Sequence, residues 1–172
     1  MDEFNLIVST FRFKEEDAED EILELLDKFG DLAAESEIIE IKGMILVHTS
    51  LDPLTIIDRL KEIVASEPWQ VRYILRVLPI QNVVPTRLDT ISHAASELIT
   101  KMGKDTFRVT VEKRHNPLGS MQIIKAIADQ INNKVDLENP DWVILVQVLG
   151  GLTGVSVLRP NQIFSSVIEK RK

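Results

Sequence analysis

Residues 51–80 read LDPLTIIDRLKEIVASEPWQVRYILRVLPI, and this stretch holds both periods on which the fold of the first half rests. Asp52–Pro53 opens a helix. Aspartate is a good N-cap, and proline suits the first helical position, where the missing N–H costs nothing. Leu54, Ile57, Leu60, Ile63 and Val64 then fall at helical spacing and predict one buried stripe. From Gln70 to Leu78 the period changes to two. Val71, Tyr73, Leu75 and Val77 alternate with polar positions that include Arg72 and Arg76, which predicts a strand.

Toward the N-terminus the same two periods recur. Phe4–Thr10 reads as a short strand, and Ala18, Ile22, Leu25, Leu26 and Phe29 mark a helix closed by Gly30. Its other face carries Glu15, Glu16, Asp17, Glu19, Asp20, Glu21, Glu24 and Asp27, read first as a solvated face and second as an acidic docking surface. Glu37–Ile41 and Met44–Thr49 flank Lys42–Gly43, a two-residue hairpin signal. The order is β-α-β-β-α-β, the ferredoxin-like split βαβ, over residues 1–80.

Toward the C-terminus, Pro79 to Pro85 reads as a break. Thr86 and Asp89 suggest a capping box before a helix through Leu88, Ile91, Ala95, Leu98 and Ile99, ended by Gly103. Phe107, Val109 and Val111 alternate with Arg108, Thr110 and Glu112 as a strand. Ile123, Ile124, Ile127 and Ile131 mark a helix starting near Ser120. Trp142–Leu149 and Leu152–Leu158 are strands around a Gly150–Gly151 turn, the first so apolar that both its faces are expected to be covered. Residues 81–172 thus read α-β-α-β-β, and the whole chain as α+β in two modules.

The chain has 172 residues, 44% hydrophobic and 27% charged, without cysteine. Disulfide scaffolds, thiolate metal sites and cysteine nucleophiles are excluded. The acidic N-terminus does not fit a signal peptide, and no apolar run approaches 18 residues, so a soluble, cytoplasmic protein without membrane contact is expected. The net charge of −7 divides unequally: residues 1–80 carry 8 basic against 18 acidic side chains, residues 81–172 carry 12 against 9. Such asymmetry points to an anionic partner for the second half alone.

Catalytic chemistry is not indicated. His48, His93 and His115 lack metal-ligand spacing, no nucleophile stands beside a base, and no phosphate-binding glycine motif occurs. Neither an enzyme nor a cofactor is expected. Lys113-Arg114-His115-Asn116, by contrast, lies between a strand and the helix beginning near Ser120. Basic side chains beside a helix N-terminus make a phosphate site. Lys101 and Lys104 flank the start of the same strand, and Arg159 follows the last one.

The strings VRYILRVLPI at 71–80, FRVTVEKRHN at 107–116, KVDLENPD at 134–141 and GVSVLR at 154–159 resemble the THUMP domain. The resemblance is closer still to the stand-alone THUMP proteins that assist the tRNA cytidine acetyltransferase, and it covers roughly residues 70–165. It implies a THUMP module over residues 81–172 that binds tRNA and presents it to a separate acetyltransferase chain. Arg114, Lys125 and Arg159 match basic positions of the family, with Asn116 as a polar neighbour. His115 departs from the small polar residue common there, and Asp129 from a frequent glycine. The RNA-binding candidates are therefore Lys113, Arg114, His115, Asn116, Ser120, Lys125, Arg159, Lys101 and Lys104. With aromatics at only 5%, phosphate and 2′-OH contacts are expected to outweigh base stacking. Two other readings stand beside this one: a THUMP subunit for a methyl-, thio- or pseudouridine-forming enzyme, and a protein-interaction module whose acidic helix docks a basic partner.

Overall fold

The computed structural model describes residues 1–172. In chain order the elements are β1 (Leu6–Thr10), α1 (Glu15–Lys28), β2 (Glu35–Ile38), β3 (Met44–His48), α2 (Pro53–Ser66) and β4 (Ile74–Pro79). There follow β5 (Asn82–Pro85), α3 (Leu88–Leu98), β6 (Phe107–Arg114), α4 (Ser120–Ala128), β7 (Trp142–Leu149), β8 (Leu152–Leu158), β9 (Phe164–Ser165) and α5 (Ser166–Lys170). The chain divides into two compact units, residues 1–80 with 162–172 and residues 81–161. No helix is long and apolar enough to cross a membrane.

In the first unit the sheet order is β2-β3-β1-β4-β9, with every neighbouring pair antiparallel. Its first four strands have the order and directions of the split βαβ. Ala18, Ile22, Leu25 and Leu26 of α1 and Ile56, Ile57, Leu60 and Val64 of α2 are buried in one core with Leu6, Val8, Ile45, Val47, Ile74 and Val77. The Asp52 carboxylate accepts from Leu54 N–H at 3.0 Å, so the expected N-cap is present. Leu54 and Ile63 are only half-buried and Ile56 takes the deeper position, because the inward stripe is centred one residue from the expected line.

Three expectations need correction here. The hairpin does not close at Lys42–Gly43: Ile38 pairs with Ile45, and residues 39–43 form the loop. Gly43 is fixed there by backbone crowding. Its φ is +74°, and a Cβ would stand 2.6 Å from Thr10 O. The fourth strand starts at Ile74 rather than Gln70, because the Glu21 carboxylate draws the N–H groups of Arg72, Tyr73 and Ile74 onto α1 at 2.7–3.0 Å. The acidic face of α1 is thus partly structural. Glu15 also accepts from Gly43 N–H at 2.9 Å, which lowers its pKa, and Glu19 accepts from Ser36 at 2.8 Å. Finally, residues 162–172 do not join the second module. Phe164 pairs with Val77 and is buried in the core of the first unit.

In the second unit the order is β5-β8-β7-β6, antiparallel except for β6 beside β7. Ile91, Ala94 and Ala95 of α3 and Ile123 and Ile127 of α4 pack with Phe107, Ile144, Val146, Val148, Val155 and Val157. The expected break at 79–85 contains a strand: Asn82–Pro85 pairs with β8, and Pro85 sits at its end. The expected capping box is absent, since the Thr86 hydroxyl meets Thr153 at 2.8 Å and α3 begins after Arg87. At the turn between β7 and β8, Gly150 has φ +64° and Gly151 does not share it, the pattern of a two-residue type II′ hairpin.

Two outcomes are expected. Gly43→Ala destabilises the first unit by roughly 2–3 kcal/mol in urea unfolding, through both the positive φ and the Thr10 contact. The second concerns Asp31, which is 5% exposed and accepts from the Thr49 hydroxyl at 2.6 Å, Ser50 N–H at 2.9 Å and Ala33 N–H at 3.1 Å. The Thr49 bond does most to lower its pKa, against the effect of burial. Its contribution is complete above the unfolded-state pKa of about 4 and is lost as pH falls through the lower folded-state value. Asp31→Asn should therefore lower stability at neutral pH and lessen the further loss between about pH 5 and pH 2.

Candidate nucleic-acid interface

β6 and β7 run side by side in strict parallel register from Phe107↔Trp142 to Arg114↔Leu149. Their carboxyl ends meet at one end of the sheet, the position where open α/β sheets bind ligands. The residues after β6 are tied down there. Gly150 N–H donates to Arg114 O at 2.9 Å, and the Asn116 amide donates to Gly150 O at 3.1 Å. Asn116 also accepts from Leu118 N–H at 2.9 Å, so this short loop is clamped to the β7–β8 turn. His115 takes φ +55°, a left-handed conformation that only a few non-glycine residues adopt.

The loop delivers the chain to α4. Gly119 is its N-cap and has no side chain to satisfy the first-turn amides. The Gln122 side chain accepts from Gly119 N–H at 3.0 Å, which leaves the N–H groups of Ser120, Met121 and Gln122 at the helix opening. Lys113 and His115 are exposed beside them and make no side-chain hydrogen bond or ion pair. Lys125 is exposed one and a half turns along α4. Arg114 has another task. It is half-buried, with Nη2 at 3.0 Å from Glu112 and Nη1 at 2.8 Å from Gln147, whose own side chain is fully buried. Asp129 caps the opposite end of α4, roughly 15 Å along the axis from Gly119. That distance removes it from the loop.

Lys101, Lys104 and Arg159 lie at the other end of the strands. Arg159 follows Leu158, whose partner is Val143 at the start of β7, so it is roughly 23 Å from the Arg114 end. It is engaged in holding the fold: its guanidinium stacks 3.7 Å from the Trp142 ring centroid and donates to Asp141 O at 3.2 Å and Asp105 at 3.4 Å. Trp142 Nε1 donates to the same Asp105 carboxylate at 3.0 Å. Lys101 donates to Gln81 at 3.2 Å, and partial burial lowers its pKa. Lys104 is exposed on the loop after Gly103.

The nine sequence candidates are therefore divided. Lys113 and Arg114 end β6, His115 and Asn116 lie in the loop that follows, Ser120 opens α4 and Lys125 stands further along it, while the remaining three stand at the far end of the strands. Two contributors had no basic or polar signal: the glycine N-cap, and Met121, which is 72% exposed in the first helical turn. Gln147 was visible only as the one polar residue in an apolar strand. Its role, orienting Arg114, depends on the parallel register that sets it opposite Glu112.

The division predicts different costs. Arg159→Ala removes the Trp142 stack and an Asp105 partner, and should lower thermal stability by the equivalent of about 1–2 kcal/mol. Lys113→Glu should leave the melting temperature within about 0.5 kcal/mol equivalent of wild type.

Residues 85–158 match the family model of the THUMP domain. The match starts at β5, so the string at 71–80 falls outside it and belongs to the first unit. THUMP domain-containing protein 1 of Bos taurus is 26% identical over 115 residues, covering 61% of this chain and 32% of that protein. The chain thus spans about a third of the length of the curated relatives it matches. Among solved structures, PH1313 from Pyrococcus horikoshii Ot3 superposes with a TM-score of 0.64 at 21% identity, over 91% of this chain and 55% of that one. A 4-thiouridine synthetase, solved as an RNA complex with bound ATP, gives a TM-score of 0.57 at 18% identity over 91% and 42%. These likenesses establish a shared fold. The second unit thus holds the segment that matches the THUMP domain, and the chain is similar over part of its length to THUMP domain-containing protein 1.

Proposed function

We propose that this chain is a non-catalytic RNA-binding adaptor that holds tRNA and presents it to a separate cytidine N4-acetyltransferase. The observation that carries the RNA-binding part is the opening of α4 inside the THUMP match. Unpaired helix amides, a side-chain-free N-cap and two exposed basic groups, Lys113 and His115, stand together at the carboxyl ends of a parallel strand pair. Helix amides and lysine suit phosphate, and they carry little sequence information. The acetyltransferase partnership rests on the resemblance of the sequence strings to the stand-alone adaptors, and on relatives that carry the same THUMP domain. The RNA in the synthetase complex is a property of that protein and supports the reading by fold alone.

Electrostatics favours a small contact. With residues 162–172 assigned to the first unit, the second unit has nine basic and eight acidic side chains, a net charge of only +1. Affinity then depends on local placement of a few cations and amides. A plot of log binding constant against log salt for folded tRNA should have a slope of about −2 to −4, and Lys113→Glu should make it shallower by about 1. Profiling of modified nucleosides in tRNA from a deletion strain tests the partner: selective loss of N4-acetylcytidine is expected. Loss of a methylated, thiolated or pseudouridine mark instead assigns the chain to another modification enzyme.

A further inference from the structure

Trp69 is 67% exposed, although the chain beside it is tied down. It stands in a single 3₁₀ turn, Pro68–Gln70, between α2 and β4. The Lys28 ammonium donates to the Gln70 side chain at 2.8 Å, and the Glu21 carboxylate accepts from the N–H groups of Arg72, Tyr73 and Ile74 at 2.7–3.0 Å. Both anchors belong to α1 and hold the turn against that helix. Between turn and helix lies a groove of about 350 Å³, with Leu25, Trp69 and Tyr73 as its apolar lining and Asp17, Asp20 and Glu24 on its α1 side. The Trp69 ring belongs to neither hydrophobic core.

The α1 side of the groove is a ridge of acids. Asp17, Asp20, Glu24 and Asp27 recur every three or four residues and form one line about 15 Å long. Like charges at this spacing repel one another. Lys14 stands 3.8 Å from Asp17, but the side chains of Asp20, Glu24 and Asp27 are exposed and make no hydrogen bond or ion pair. On the other flank of the ridge, a hollow of about 510 Å³ shares Asp20 and Glu24 and is bordered by Leu23 and Leu32, the latter 82% exposed. The free carboxylates therefore stand between two apolar borders. The two cations of the groove are already engaged, Lys28 by Gln70 and Arg72 by the Tyr73 ring, whose centroid is 5.3 Å away.

We propose that this face of the first unit docks a basic amphipathic helix of a partner protein. Its arginines and lysines meet Asp20, Glu24 and Asp27, and an apolar side chain lies on Trp69. Charge complementarity names the occupant. A nucleic acid or an acidic peptide is repelled by the ridge, and a second copy of this chain would bring the same acids to the contact. Because the carboxylates recur at helical spacing, cations recurring at that spacing on a second helix can meet them one for one. Such cations also relieve the repulsion along α1. An exposed tryptophan suits this partner twice, since it offers apolar area to bury and a ring face that attracts arginine and lysine. The anchors from α1 fix the groove before the partner arrives, so little ordering opposes docking. The surface lies within the first unit, and the inference does not rest on RNA binding by the second.

The test is fluorescence anisotropy of a labelled (RLAK)3 peptide, basic along one helical face and leucine-bearing along the other, with the full chain at low salt. Wild type should bind it, with affinity that falls as salt rises, and should not bind the acidic counterpart (ELAE)3. Asp20→Lys with Glu24→Lys should weaken (RLAK)3 by about tenfold and gain binding of (ELAE)3. Trp69→Ala should weaken (RLAK)3 by about threefold, while Trp69→Phe retains most of the affinity. Unchanged unfolding midpoints for these exposed positions exclude a folding effect. Lys113→Glu should leave peptide binding intact while weakening folded tRNA, so the two surfaces fail separately. The proposal is overturned if wild type does not bind (RLAK)3, if the charge reversal or Trp69→Ala leaves that affinity unchanged, or if wild type binds (ELAE)3 equally well.

Discussion

The parallel pairing of β6 with β7 is the constraint on which the candidate RNA site depends. Two adjacent parallel strands bring their carboxyl ends, and the turns that follow, to one side of the sheet. In this chain that rule sets the end of β6 and the His115–Gly119 loop beside the Gly150–Gly151 hairpin, where Gly150 can receive the Asn116 amide and donate to Arg114 O. An antiparallel arrangement of the same two strands would put Arg114 opposite the start of β7 and leave the loop without its clamp. The helix opening, the left-handed His115 and the exposed Lys113 all follow from where β6 ends.

Much of this was legible in sequence because it depends on local periodicity. The period changes at Asp52–Pro53 and at Phe107 mark elements that form where expected, and β7 and β8 keep their expected limits. What escaped was decided by distant partners. Residues 82–85 carry two prolines' worth of break signal around them, yet become a strand because β8 offers an open edge. Phe164 joins the first unit because β4 has a free edge there, which no local pattern announces. The basic candidates suffered in the same way. Arg159 and Lys113 look alike in sequence, but one stacks on a tryptophan and bonds an aspartate while the other stands open beside helix amides.

Charge was the least reliable guide, for a related reason. The contrast between an acidic first half and a basic second half shrinks once the tail, with its three terminal basic residues, is counted with the first unit. Several acids of α1 are also not simply surface charge. Glu15 and Glu21 act as acceptors for backbone N–H groups of incoming segments, a use that net charge cannot distinguish from a solvated face. The electrostatic character of each unit is therefore set by which charges are occupied.

The central claim is that RNA meets the second unit at the opening of α4 rather than along the whole set of basic residues. Hydrogen–deuterium exchange of the full chain with and without folded tRNA reads those amides directly. The account predicts slowed exchange concentrated in residues 113–122, with little change at 101–106 and 159–161. Protection at the latter segments with none at 113–122 would contradict it.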